Sequence, residues 1–262
     1  MKYGIEVEGP LFDTMIAPYL IQPDLKHNLD YLAEIYLKYK MVGIVELIGS
    51  KGPGQKNMRD IDLDIIKEYA GEDADITWQL YEILKEEIKR HNLVKLAETV
   101  EMPLIRVLAE MENAGFKISV ENLGAYSGIL KSELAELESS IHLLAGVQFN
   151  ISSPRQLGEI LFERLQIAEG SQKTKTKQYS TGEEVLVKLA DKHPIVNKIL
   201  DYRALLKLLN TYVDALPKLI DNKSLKVHTS FDQAWVSTGR LSSRNPNLQN
   251  IPFRDDREQK PF

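Results

Sequence analysis

The chain has 262 residues, of which 43% are hydrophobic and 27% charged, and its formal net charge is −5. This is globular composition, enough for one large or two to three small domains. No run of about 18 apolar residues suggests a membrane span, and the acidic total argues against nonspecific wrapping of nucleic acid. There is no cysteine, which excludes disulfides and thiolate metal sites and makes a cytoplasmic location the expectation. The opening MKYGIEVEGP has no apolar stretch of the kind a signal peptide needs.

In chain order, Ile5 and Val7 alternate with Glu6 and Glu8, which predicts a half-buried strand. Asp13 is placed to cap the helix that follows. Leu25, Leu29, Leu32, Ile35 and Tyr36 recur at helical spacing and predict a helix over Asp24 to Tyr39. The turn-rich GSKGPGQKN makes Gly49 to Asn57 a loop, and Asp64 to His91 reads as one or two helices. Pro103 fits the first turn of a helix that Gly115 ends. Tyr126, Leu130, Leu134, Leu137, Ile141 and Leu144 form one apolar stripe of a long amphipathic helix. Ser152–Pro154 opens another helix. Ser180 and Thr181 stand at capping-box distance from Glu183 and Glu184. A long helix then runs from Pro194 toward Ile220. SLKVHTSFDQAWVST, from Ser224 to Thr238, has the β-branched and aromatic content of a strand or hairpin.

Four constellations could carry chemistry. In YAGEDADIT, Tyr69 and Asp73 are four apart and share a helix face. A carboxylate there can ligate a divalent metal, and the phenol can orient a water in phosphodiester hydrolysis. Alone the pair is a weak signal, since a tyrosine and an aspartate four apart are common on ordinary helix surfaces. Glu6 and Glu8, on one strand face, offer a weaker metal pair. Arg203, Lys207 and Thr211 step by four along one face, suited to successive phosphates or simply to solvent. Lys173, Lys175 and Lys177 alternate with threonine in a polar connection that could grip a phosphate backbone. STGRLSSRNPNLQNIP, continued to Arg254, holds three arginines and no acid. Arginine and amide side chains can reach the minor-groove acceptors that every base pair presents, without asking which base is there, or the stretch can be a polar loop that satisfies its own backbone.

TGRLSSRNPNLQNIPFR closely resembles the palm-entrance signature of family A DNA polymerases, the bacterial DNA polymerase I type. FDTMIAPYL and YAGEDADIT resemble the later part of that family's 3′→5′ exonuclease domain. VEMPLIRVLAEMENAGFKI, FNISSPRQLGEILFE, YSTGEEVL and LDYRALLKLLNTYVDALP resemble its thumb, and KVHTSFDQA resembles its first palm strands. The resemblance implies a mainly α fold with a small α/β part: a truncated ribonuclease H-like exonuclease portion over 1–98, a long-helix thumb over 99–222 and the first β-strands of the palm over 223–262. It further implies that Arg240 reaches the minor groove near the primer terminus. Asn247, Gln249 and Asn250 would line the path of primer and template. Arg203, Lys207 and Thr211 would contact the duplex backbone, and Lys175 would lie at the thumb tip. Tyr69 and Asp73 would be the last exonuclease motif, with Asp73 a metal ligand.

The family's reaction uses magnesium, deoxynucleoside triphosphates and primer–template DNA. The polymerase's two catalytic aspartates, and three of the four exonuclease carboxylates, fall in motifs that this sequence does not show. The expectation is therefore that these 262 residues alone do not catalyse extension or efficient proofreading. They would act as a non-catalytic DNA-binding module or as a purely structural piece without useful DNA affinity. Self-association or partial disorder near residues 1–20 is also expected, because an α/β portion without its first strands would expose an apolar edge.

Overall fold

A single helix of 28 residues, α4 (Leu63–Arg90), is the longest element of the computed structural model, which describes residues 8–168 and 179–251. The chain divides into two units. One comprises Met1–Gly115 with Thr229–Gln249, the other Phe116–His228 with Asn250–Phe262. The described residues are mainly helical, with one two-stranded sheet.

In the first unit, Asp13 Oδ1 accepts the N–H groups of Met15 and Ile16 at 2.7 and 3.0 Å. This caps α1 (Ile16–Ile21), as its sequence position predicts. Ile16, Ala17 and Tyr19 are buried; Glu8 is exposed and outside any strand, and residues 1–7, with Ile5, Glu6 and Val7 of the predicted strand, lie outside the described residues. The helix expected from Asp24 starts later, as α2 (Leu29–Leu32), because Gln22–Leu25 closes a turn through Leu25 N–H to Gln22 O at 3.2 Å. It continues through a wide turn, Ala33–Leu37, and stops at Lys38, whose φ of 57° is left-handed. A short α3 (Ile44–Ile48) and the expected loop lead to Asp62, whose Oδ1 caps α4 by accepting Asp64 N–H at 2.9 Å.

The far half of α4 buries Ile76, Leu80, Leu84 and Ile88, each four residues on from the last. With Ile16, Ala17, Leu32 and Met102 they form the core of this unit. Pro103 does stand in the first turn of α6 (Met102–Ala114), but the helical path begins earlier, at α5 (Val94–Leu96). Between them, Ala97–Glu101 is wound wider than an α-helix. A proline ring within a helical run displaces the preceding turn and supplies no N–H, and a widened turn is one way to accommodate it. Gly115 ends α6 at φ 58°, as predicted. The strands β1 (Ser230–Asp232) and β2 (Ser242–Arg244) pair antiparallel, with Phe231 opposite Ser243. The strand content predicted over Ser224 to Thr238 is thus confined to three residues of that segment.

In the second unit, α7 (Val120–Ala145) starts at Ser119, whose Oγ accepts Asn122 N–H at 3.2 Å, and ends at Gly146 with φ 67°. Its buried positions are Leu123, Ser127, Leu130, Leu134, Ile141 and Ala145, so the inner face is turned slightly from the predicted stripe and leaves Tyr126, Leu137 and Leu144 half-buried. α7 packs on α10 (Pro194–Leu208). α8 (Pro154–Gly158), capped by Ser153 Oγ, completes the core through Leu157, which is joined by Leu161, Leu186, Ile195 and Ile199. The capping box predicted at Ser180/Thr181 does not form. α9 (Glu183–Lys188) has Gly182 at its cap without a side-chain bond, and the Thr181 carbonyl is already taken by Arg203.

Candidate nucleic-acid interface

α10 carries the most coherent site. Arg203, Lys207 and Thr211 lie along one side of it and its wide-turn continuation, Leu209–Val213, and all three line one open cleft of about 740 Å³. Ser152, Ser180, Thr181 and Asn210 add hydroxyls and an amide. Two cations and no carboxylate face the space among the described residues. Lys207 and Thr211 are exposed, while Arg203 is half-buried. Arg203 donates to the Thr181 carbonyl at 2.5 Å and to its hydroxyl at 3.4 Å. Burial lowers its pKa from the ordinary value, but a guanidinium remains charged throughout the working range. Tyr179 forms part of the wall and is pressed on Gly158, where an added Cβ would meet Tyr179 Cβ at 2.9 Å.

As far as Ile251 the arginine and amide stretch occupies the loop after β1, then β2 and the turn beyond it, and Arg254 lies outside the described residues. Ser243, 1% exposed, anchors it. Its hydroxyl lies 2.8 Å from Thr229 Oγ1 and 3.1 Å from the Pro246 carbonyl, and it accepts Leu248 N–H at 3.3 Å. Thr229 also donates toward the Pro246 carbonyl at 2.8 Å. The Asn245–Pro246 peptide is cis and Asn245 has φ 55°. Arg244 pairs across the sheet with Asp232 at 2.9 Å. Gln249 spends its amide internally: Oε1 accepts Ser243 N–H at 3.1 Å and Nε2 donates to the Leu241 carbonyl. It therefore prolongs the β ladder with a side chain. Asn247 Oδ1 accepts Gln249 N–H at 3.0 Å. Asn250 and Arg240 are exposed, and Arg240 makes no hydrogen bond or ion pair among the described residues. Just before it, the Tyr19 hydroxyl donates to Val236 O at 2.7 Å and accepts Gly239 N–H at 3.1 Å.

Tyr69 and Asp73 do share a face of α4, in acidic surroundings. Burial, then the charges of Glu72 and Asp30, raise the Asp73 pKa above its ordinary value. Burial, then Asp73, Asp30 and Glu72, raise that of Tyr69. Tyr69 lines a cleft of about 1170 Å³ that holds seven carboxylates, among them Asp60, Asp64, Glu68 and Glu72, against the single cation Lys56. Glu72 is already engaged by Tyr39 O–H at 2.7 Å and Val42 N–H at 3.0 Å. Among the described residues no group of three or more His, Asp or Glu is arranged to hold a metal ion.

Lys173, Lys175 and Lys177 lie outside the described residues. Sequence reasoning missed Tyr19, whose partners are more than two hundred residues away, and the Thr181 hold on Arg203, which a capping-box pattern concealed. It also missed Asp214, which accepts Ser127 O–H at 2.7 Å and pairs with Lys131 at 3.0 Å.

Residues 120–261 match the family described as DNA polymerase family A, and residues 1–89 match one described as 3′-5′ exonuclease. The chain is 41% identical over 262 residues to DNA polymerase I of Synechocystis sp., covering 97% of this chain and 26% of that protein. It is 42% identical over 257 residues to DNA polymerase I of Bacillus subtilis, covering 98% and 29%. It thus spans less than a third of the length of these curated relatives. Among solved structures, the POL domain of Pol1 from M. smegmatis, in complex with DNA primer-template and dNTP, matches with TM-score 0.74 at 30% identity. That match covers 95% of this chain and 40% of the other.

Proposed function

Because the chain belongs to DNA polymerase family A, we propose that it serves template-directed DNA synthesis and that the role of its own residues is to hold primer–template. The cleft on α10 is the observation that carries this reading: two cations, several hydroxyls and an amide share one open space with no acid among the described residues. Lys207 supplies an exposed point charge. Arg203, fixed at one end by Thr181, keeps further N–H donors of its five for a phosphate. Thr211 and Asn210 add neutral bonds to backbone oxygens. Such contacts fix position and grip without reading sequence. Arg240 and Asn250, exposed at the second site, are suited to the acceptors common to all base pairs in the minor groove.

Asn247 and Gln249 serve the same surface differently, by holding the shape of the strand and turn. Nucleotidyl transfer by this class consumes deoxynucleoside triphosphates with magnesium. Asp73 and Tyr69 are the residues of this chain that the family resemblance assigns to an exonuclease site, three of whose four carboxylates belong to motifs that this sequence does not show. In the proposed division of labour, these 262 residues grip DNA and do not carry out either reaction alone.

Titrating a labelled primer–template with the 262-residue chain tests this. Binding indifferent to base sequence, and weakened in Lys207→Ala, is expected. Equal affinity of Lys207→Ala and the parent chain for DNA would remove the α10 cleft from the interface.

A further inference from the structure

Tyr19 is 5% exposed, in edge-to-face contact with His27 at 5.7 Å between ring centres. A buried phenol needs a partner for its hydroxyl. Here it has two, and both belong to one turn 217 or more residues along the chain. The hydroxyl donates to Val236 O at 2.7 Å and accepts Gly239 N–H at 3.1 Å, while Gly239 N–H also reaches Val236 O at 3.1 Å. The phenol oxygen thus closes a ring around the turn. Gly239 holds φ 77°, a conformation that favours glycine, and an added Cβ would meet nothing within 4 Å. Its need for glycine is therefore one of backbone conformation and not of space. Arg240 follows immediately and extends into solvent.

We propose that Tyr19 is a positioning residue for DNA binding: by pinning the Val236–Gly239 turn it fixes the direction in which Arg240 is offered to the duplex. This rests on the reading of Arg240 as a DNA contact. An arginine on a loose turn must lose backbone freedom as well as side-chain freedom when it binds, and a pinned turn has lost the former beforehand. The pin joins two segments that match different families, since Tyr19 lies in the stretch matching the 3′-5′ exonuclease and Arg240 in the stretch matching the polymerase. A part of the exonuclease-like segment would thereby set the geometry of a polymerase contact.

The chain has two tryptophans, and Trp235, 72% exposed, adjoins Val236. In a Trp78→Phe background its fluorescence anisotropy reports the mobility of the pinned turn. On that background, Tyr19→Phe, Arg240→Ala, their combination and Gly239→Ala are compared for primer–template affinity and for Trp235 anisotropy in the free protein. Arg240→Ala should weaken binding by about tenfold or more. Tyr19→Phe, which keeps the ring, should weaken it roughly three- to tenfold, the range of one neutral hydrogen bond, and lower the Trp235 anisotropy. The double variant should bind no more weakly than Arg240→Ala, because a turn without its arginine has nothing left to present. Gly239→Ala strains the same turn from its other side and should repeat the Tyr19→Phe result, which decides the matter should Tyr19→Phe fail to fold. An additive double variant, or Tyr19→Phe binding like the parent while Arg240→Ala does not, overturns the positioning role alone. No loss in Arg240→Ala overturns the reading of Arg240 and the pin's role with it.

Discussion

Two helix faces in this chain carry the same spacing and opposite chemistry. On α4, Tyr69 and Asp73 are one turn apart; on α10, so are Arg203 and Lys207. Tyr69 of the α4 pair borders a cleft with seven carboxylates and one cation. The α10 face borders one with two cations and no carboxylate among the described residues. A polyanion is repelled by the first and drawn to the second. Spacing establishes which side chains share a face. The segments folded against that face decide what the face can bind, and those come from far away in sequence: Asp30 beside α4, Thr181 and Ser152 beside α10.

Both faces depend on cores behind them. Leu80 and Ile199 are each fully buried, and Leu80→Ala and Ile199→Ala should each cost about 2–5 kcal/mol. Urea titration followed by circular dichroism would check this, and a loss well below that range at either site would mean that its helix is held by something other than its apolar face. A smaller effect is expected from Gly158→Ala, because the new methyl must displace Tyr179 at its Cβ. It should cost about 1–3 kcal/mol and disturb the wall of the α10 cleft, so DNA affinity should fall along with melting temperature. Lower stability with unchanged affinity would separate that wall from the binding site.

Titration sharpens the contrast at lower energy. The Ser127 hydroxyl, then Lys131, hold the Asp214 carboxyl below its ordinary value of 3.8. A depressed carboxylate contributes stability that is complete above pH 3.8 and is lost as pH falls through the lower folded value. Ser127→Ala should shrink that acid-side loss. Asp73 has the opposite sign: its raised pKa makes its ionised form a cost, so its contribution declines as pH rises from 3.8 through the folded value. Asp73→Asn should therefore be slightly more stable than the parent at pH 7 and equal to it below pH 3. Thermal melts across pH 2.5–7 test both, and an Asp73→Asn profile that coincides with the parent's would show that the burial and acidic surroundings of Asp73 have no energetic weight.

The long helices were legible because apolar residues at every third or fourth position, and a stop such as Gly115, are written locally. α4 and α7 follow from such signals. The late start of α2 was not, since a turn at Gln22–Leu25 overrode an apolar period that included Leu25. Pro103 gave the right turn of α6 but hid the helical residues before it, because a widened turn leaves no mark in residue type. The face of Arg203, Lys207 and Thr211 could be read from spacing, whereas the cleft it borders depends on α8 and on residues 179–182. Gln249 illustrates the remaining difficulty. Composition presents it as an amide free to meet DNA, yet both ends of that amide complete a ladder with Leu241 and Ser243, a use that only the paired backbone reveals.

The central claim is that the α10 cleft holds DNA by neutralising phosphates. The most direct measurement is the salt dependence of primer–template affinity for the parent chain and for Arg203→Ala/Lys207→Ala. Each phosphate contact contributes a slope of about −0.9 to the plot of log affinity against log salt. The double variant should bind more weakly at low salt, with a slope shallower by about two. Identical slopes for the two proteins, or a parent chain whose binding ignores salt, would contradict the account.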